Sequence, residues 1–370
     1  DDAGYGDFSC FGQKKFKTPN VDRMAKEGMK LTDFYSSSTV CAPSRSSLMT
    51  GHHSGRGYIR GNKEIKPEGQ HPLPLKAVTI PEVLKKSGYV SGMFGKWGLG
   101  APGSEGDPIN QGFDRFFGLN CQRQSHNFYP THVWSDRKKV MLDRKHYSHS
   151  LIADECLKFI LTNKDNPFFC YVPFTIPHAA MQSPEGRIAP WRKKFPEFEK
   201  MTGKYGGSVI TNPVAAFAAM MEHMDEDVGR ILDLLEELKI DDNTLVFSLL
   251  ITAPTKRVDT SLTSSTVTVR SRDISAISMR EVSGLLRLPG GRVKLSPEAQ
   301  VPILRQVGTC CPPCVNCQAR KLQQIWMEYP SRPHSWEITR TKNIEIIFTG
   351  NSTNGEESRR YAWGSGKESD

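Results

Sequence analysis

Apolar positions in the first two thirds of the chain recur in two alternating rhythms. Residues 213–238 carry Phe217, Met220, Met221, Met224, Val228, Ile231, Leu232 and Leu235 three or four positions apart, the spacing of one buried helix face. Residues 89–94, 168–174 and 245–250 are short, nearly continuous apolar runs, the pattern of strands covered on both sides. A further helix is expected near residues 150–163, ahead of the second run. Asn20 can cap a helix that starts at Val21 and stops at Gly28. Thr79 caps another with Pro81 in its first turn, ending at Gly88. Helix and strand alternating across short joints predict an α/β fold whose mostly parallel central sheet is covered on both faces. Ligands of such sheets bind beyond the carboxyl ends of the strands, so functional residues are expected just after strands.

The texture changes near residue 249. Ten of the nineteen residues 260–278 are Ser or Thr, punctuated by single Arg, with no sustained period of 2 or 3.6. The formal net charge of +9 would fit a polyanion-binding protein if it were concentrated on the patterned part. It is not. Residues 249–370 hold 17 Lys and Arg against 11 Asp and Glu, and residues 1–248 hold 32 against 29. No nucleic-acid partner is therefore expected. No apolar run is long enough to span a membrane, no secretory leader is visible, and the nine cysteines have no framework spacing in residues 1–248. Cys310, Cys311, Cys314 and Cys317 make two Cys-x-x-Cys steps, but the second half of a four-ligand zinc site is missing.

Four short motifs carry chemistry. In Cys41-Ala42-Pro43-Ser44-Arg45, Pro43 suits the first turn of a helix, which puts Cys41 at the positive end where an anion is favoured. By itself a lone cysteine is more often a small buried hydrophobe. Asp1-Asp2, ahead of Gly4-Tyr5-Gly6-Asp7, pairs two hard oxygen donors, although adjacent acids alone usually mark a solvated turn. Lys96, in Phe94-Gly95-Lys96-Trp97-Gly98-Leu99-Gly100, and His178, in Phe174-Thr175-Ile176-Pro177-His178, each follow a predicted strand.

In this order, with Leu48, Thr50 and Gly51 continuing the first motif and Arg23 and Gly28 matching the next helix, the motifs resemble the formylglycine-dependent sulfatases, arylsulfatase-like members of the alkaline phosphatase superfamily. The resemblance covers residues 1–248 and implies an alkaline-phosphatase-like α/β sandwich with a smaller C-terminal subdomain; it also implies that the strand before Asp1 is missing here. It implies hydrolysis of sulfate esters of a small molecule or glycan. Cys41 would be converted to formylglycine by a formylglycine-generating or other sulfatase-maturing enzyme, its hydrate being the nucleophile. Asp1, Asp2 and the modified Cys41 would hold Ca2+ or another divalent cation. Arg45 would hold the formylglycine hydroxyl, Lys96 would contact a sulfate oxygen, and His178 would bind sulfate and protonate the leaving oxygen. A periplasmic, secreted or lysosomal setting is implied as well. One position departs: Gly98 stands where the family has a histidine that contacts formylglycine. Two other readings stay open, a phosphonate or phosphodiester hydrolase of the same superfamily and a non-catalytic anion- or metal-binding remnant.

The family continues after the strand at 245–247 with Ser-Asp-Asn-Gly, whose Asp and Asn complete the metal site, and later with a Lys ahead of Glu-Gly-Gly. Neither is present in the chain. Regrouping the codons of residues 249–260 two nucleotides later permits Ser-Asp-Asn-Gly-Pro-His-Lys-Glu-Gly-Gly-His. Residues 274–284 likewise permit Lys-Arg-Asp-Leu-Tyr-Glu-Gly-Gly-Ile-Arg, and residues 307–317, with the cysteine cluster, permit Trp-Asp-Val-Leu-Pro-Thr-Leu-Cys-Glu-Leu. Residues 249–370 are therefore expected to be a frameshifted tail, disordered or poorly packed, and the chain as written inactive. Sequencing the parent DNA checks this: those readings should appear in the shifted frame, and their absence ends the idea.

Overall fold

The computed structural model describes residues 3–31, 36–205 and 208–250, together with the backbone of residues 284–287. In chain order the elements are α1 (Pro19–Glu27), β1 (Met29–Leu31), α2 (Cys41–Thr50), α3 (Ile80–Lys85), β2 (Val90–Lys96), β3 (Arg115–Leu119), α4 (Gln122–Ser125), β4 (His132–Ser135), β5 (Lys138–Met141), α5 (Ser148–Asn163), β6 (Phe168–Tyr171), α6 (Glu185–Lys194), β7 (Thr202–Tyr205), β8 (Ser208–Thr211), α7 (Pro213–Glu237), β9 (Val246–Leu249) and β10 (Gly284–Arg287). The helices and strands expected from the apolar rhythm are all present, with ends moved by a few residues.

A five-stranded sheet in the order β5-β4-β3-β2-β6 forms the centre. β2 runs parallel to β3 on one side and to β6 on the other, with Gly95 opposite Gly118 and Gly92 opposite Cys170. The antiparallel hairpin β4–β5 extends the β3 edge. β2 is buried from Ser91 to Lys96, as expected of a strand covered on both faces. Phe159 of α5 lies against the backbone of Gly92, where an added Cβ would come within 2.8 Å of its ring. On one side of the sheet Phe94, Ile152, Phe159 and Leu235 pack together; on the other Met93, Trp97, Phe113 and Phe116 do. Among the described residues no helix is long and apolar enough to cross a membrane, and Cys10, Cys41, Cys121, Cys156 and Cys170 are free thiols.

Two expectations are corrected. β9 does not extend the central sheet. It lies in a separate three-stranded sheet, β1-β10-β9, where residues 284–287 pair antiparallel with both neighbours. A strand carries donors and acceptors on both edges, and β10 supplies the complement to β1 and β9 at once. The rest of the tail, including the cysteine cluster, lies outside the described residues. The second correction concerns α1, which starts at Pro19 with no side-chain cap from its own N-cap, Thr18. Asp225, buried on α7, accepts instead from the Asn20 and Val21 amides at 3.1 and 2.9 Å and from Asn20 Nδ2 at 2.9 Å. The acceptor comes from 205 positions away and clamps α1 onto α7. Asp225→Ala leaves these donors buried without it, and a loss of about 2–3 kcal/mol, read from the urea midpoint, is expected.

A second measurable feature is Asp7. Its carboxyl is buried, accepts the Gly4 amide at 2.7 Å, and is pushed up to about 7, mainly by desolvation. Because the folded value is raised, the stability it confers is complete below its unfolded value near 3.8 and is lost as pH climbs through about 7. Asp7→Asn removes this dependence. Between pH 4 and pH 7.5 the wild-type Tm should therefore fall relative to that of the variant, and parallel curves would refute the assignment.

Candidate active site

α2 begins at Cys41, which has no solvent exposure, and ends at Gly51 in the left-handed conformation. Its polar residues are buried too: Ser44, Arg45, Ser46 and Ser47 all lie inside the protein. A buried helix start with so many polar groups is built to meet a polar or charged ligand.

Lys96 is the last residue of β2, at the carboxyl end of a parallel strand, and is fully buried. Its backbone is tied to both neighbours. The Lys96 amide donates to Pro173 O at 3.1 Å beyond β6, while the Trp97 and Gly98 amides donate to Leu119 O and Asn120 O beyond β3. Trp97 anchors the turn by donating from its indole to Gly106 O at 2.6 Å. Held this way, Lys96 Nζ lies 3.5 Å from Cys41 Sγ and 3.0 Å from His126 Nε2. Arg45, one helical turn after Cys41, donates to the backbone oxygen of Lys96. His178 sits in the turn after β6 with its ring stacked on His126, centroids 3.7 Å apart and planes 11° from parallel. Cys41, Arg45, Lys96 and His178, spread over the chain, thus meet at one end of the sheet. Asp1 and Asp2 lie outside the described residues.

His126 and Tyr205 were not identified from sequence. The Tyr205 hydroxyl is 3.0 Å from His126 Nδ1. An ammonium only donates, so with Lys96 protonated His126 Nε2 accepts and its proton sits on Nδ1, facing the Tyr205 oxygen. In that state His126 is neutral. The signal that could have found His126 is its place after β3, another parallel strand. Tyr205 gives no such signal, since it lies on the β7–β8 hairpin outside the central sheet.

Gly98 has φ +76°, a conformation that favours glycine. A Cβ there would fall 2.3 Å from Gln122 Nε2 and 3.6 Å from Arg45 Cδ. The Gln122 amide therefore occupies the space a side chain at residue 98 would need, and both of its polar atoms are buried with no hydrogen-bond partner among the described residues. The metal implied by the family fits less well. Ca2+ takes six to eight oxygens, whereas the described side chains here are a thiol, two cations, two imidazoles, one phenol and one amide, with no carboxylate among them. Asp1 and Asp2 are right in kind but too few, and the chain reads Leu249-Leu250-Ile251 where further ligands are expected.

Comparisons with known proteins agree on the family. The family model described as Sulfatase matches residues 1–249. Human N-acetylgalactosamine-6-sulfatase is 31% identical over 268 residues, which cover 67% of this chain and 47% of that protein. Human arylsulfatase A is 46% identical over 122 residues, 32% of this chain and 24% of that one. Among solved structures, a sulfatase from Pseudoalteromonas sp. superposes with a TM-score of 0.51 at 24% identity, covering 68% of this chain and 53% of its own. A protein solved in complex with its substrate D-glucosamine-2-N,6-O-disulfate gives 0.54 at 20% identity, covering 78% and 69%. The chain spans about half the length of the curated relatives it matches. The fold is the alkaline-phosphatase-like α/β fold, and the chain belongs to the sulfatase family.

Proposed function

We propose that residues 1–248 are most of the catalytic domain of an enzyme that hydrolyses sulfate esters of a sulfated sugar or related small molecule. The observation that carries this is the fully buried Lys96 ammonium, 3.5 Å from Cys41 Sγ at the start of α2. A primary amine kept in a dry site beside a helix N-terminus stabilises negative charge at residue 41 and on an oxyanion next to it. Oxidised to formylglycine, residue 41 would supply as its hydrate the attacking oxygen and release sulfate by returning to the aldehyde. Arg45, already fixed on the Lys96 carbonyl, orients the oxygen of residue 41. Lys96 neutralises a sulfate oxygen, and His126 and Tyr205 hold its ammonium in place. His178 protonates the leaving alcohol oxygen. Gln122 fills the space beside Gly98, where the family uses histidine. No step is routed through a metal, because the described side chains of the site do not offer enough oxygen donors to hold one in the family's manner.

The test has two parts. Coexpression with a formylglycine-generating enzyme should shorten the mass of the tryptic peptide ending at Arg45 by about 18 Da, the cysteine-to-aldehyde exchange; unmodified Cys41 counts against the reading. Turnover of p-nitrophenyl sulfate should then match that of the Cys41→Ala variant in the chain as written. Once residues 249 onward are restored to the alternative frame, it should rise by at least about 10²-fold. Faster turnover of a p-nitrophenyl phosphodiester by the restored enzyme would favour the phosphodiesterase reading.

A further inference from the structure

A second group of metal-binding side chains lies on the α5–α7 seam, away from the Cys41 cluster. His223 and Asp227 are one helical turn apart on α7 and so share a face, and His149 reaches the same point from the first turn of α5. All three are buried. Their ligating atoms lie within 4.8 Å of one another. Asp227 Oδ2 is 2.9 Å from His149 Nε2 and 3.7 Å from His223 Nε2. Those distances bracket the roughly 3.3 Å that separates ligand atoms around a tetrahedral ion with bonds near 2.05 Å.

Two details favour a shared ion over a simple pair. His149 Nε2 and Asp227 Oδ2 lie 2.9 Å apart as an ion-pair contact, and beyond each other neither buried atom has a hydrogen-bond partner among the described residues. Buried polar atoms left this way mark a place where a water or ion belongs. Finally, the carboxylate is divided. Arg230 donates to Oδ1 at 2.8 Å and shares its charge with Asp154, which leaves Oδ2 facing the histidines. Outer contacts of this kind orient a ligating carboxylate. The Ser150 hydroxyl, 3.5 Å from His223 Nε2, or a water can fill the fourth position.

We propose that His149, His223 and Asp227 form a structural site for a divalent transition-metal ion of the Zn2+ class, separate from the sulfatase-type centre. Two imidazoles and one carboxylate suit such an ion and do not suit calcium. Its consequence reaches the candidate active site, because the His149 ring packs on Phe174 at 4.7 Å, in the segment that leads to His178. An ion here would tie α5, α7 and the base of that turn together.

The full chain, stripped with a chelator and titrated with Co2+, tests this without any activity assay. Folded wild type and Cys41→Ser should each take up one Co2+ at this site, with the visible bands of a tetrahedral nitrogen–oxygen site and no near-ultraviolet thiolate charge transfer. Zn2+ should displace it and raise the Tm by several degrees. His223→Gln and Asp227→Asn should lose the visible bands and weaken Zn2+ binding by roughly tenfold or more. Absence of the bands in folded wild type overturns the proposal, whatever the variants do. So does their persistence in either folded variant, their loss in Cys41→Ser, or a thiolate band that places the metal on Cys310–Cys317.

Discussion

Keeping an ammonium group out of water is the constraint around which the candidate site is arranged. Lys96 has no exposure, and a lone buried charge is costly unless it is held by hydrogen bonds and met by an anion. The fold meets part of this cost with His126 and places Cys41 Sγ on the other side. The backbone of residues 96–98 is fastened on both edges, to Pro173 and to Leu119 and Asn120, which fixes where the lysine side chain starts. A second cation, Arg45, is folded onto the same carbonyl. Two buried positive groups at a helix N-terminus make a site complementary to an oxyanion.

The same constraint explains why Gly98 does not leave a hole. With φ +76° and Gln122 Nε2 only 2.3 Å from where a Cβ would stand, residue 98 has neither the backbone conformation nor the room for a histidine. The space beside Gly98 is filled by a residue 24 positions later in the chain. Gln122 brings a neutral amide next to Arg45, where an imidazole able to ionise would add to the positive charge already there.

Away from the site, long-range polar contacts to α7 hold the architecture. Asp225 caps α1 from across the core, and Gly229 lets the Asn20 side chain approach the α7 backbone, where a Cβ would lie 2.6 Å away. Asp227, two positions on, faces His149 and His223. α7 therefore does more than cover the sheet with the apolar stripe that made it recognisable. Its polar residues decide how α1 and α5 sit.

The sequence by itself determined most of the elements and the family. The apolar period of residues 213–238 is that of a helix, and the run at 89–94 falls in a strand covered on both sides, β2 being buried from Ser91 to Lys96. Cys41, Arg45, Lys96 and His178 were legible because each sits in a motif at the start of a helix or the end of a strand. What only the tertiary structure decided depends on pairs distant in the chain: Asp225 with Asn20, Gln122 with Gly98, His126 with Lys96 and His178, and β10 with β1 and β9. Local pattern reports which face of an element is apolar, but it holds no record of which partner will supply a buried donor with its acceptor. That is settled only when the layers pack and bring such distant groups together.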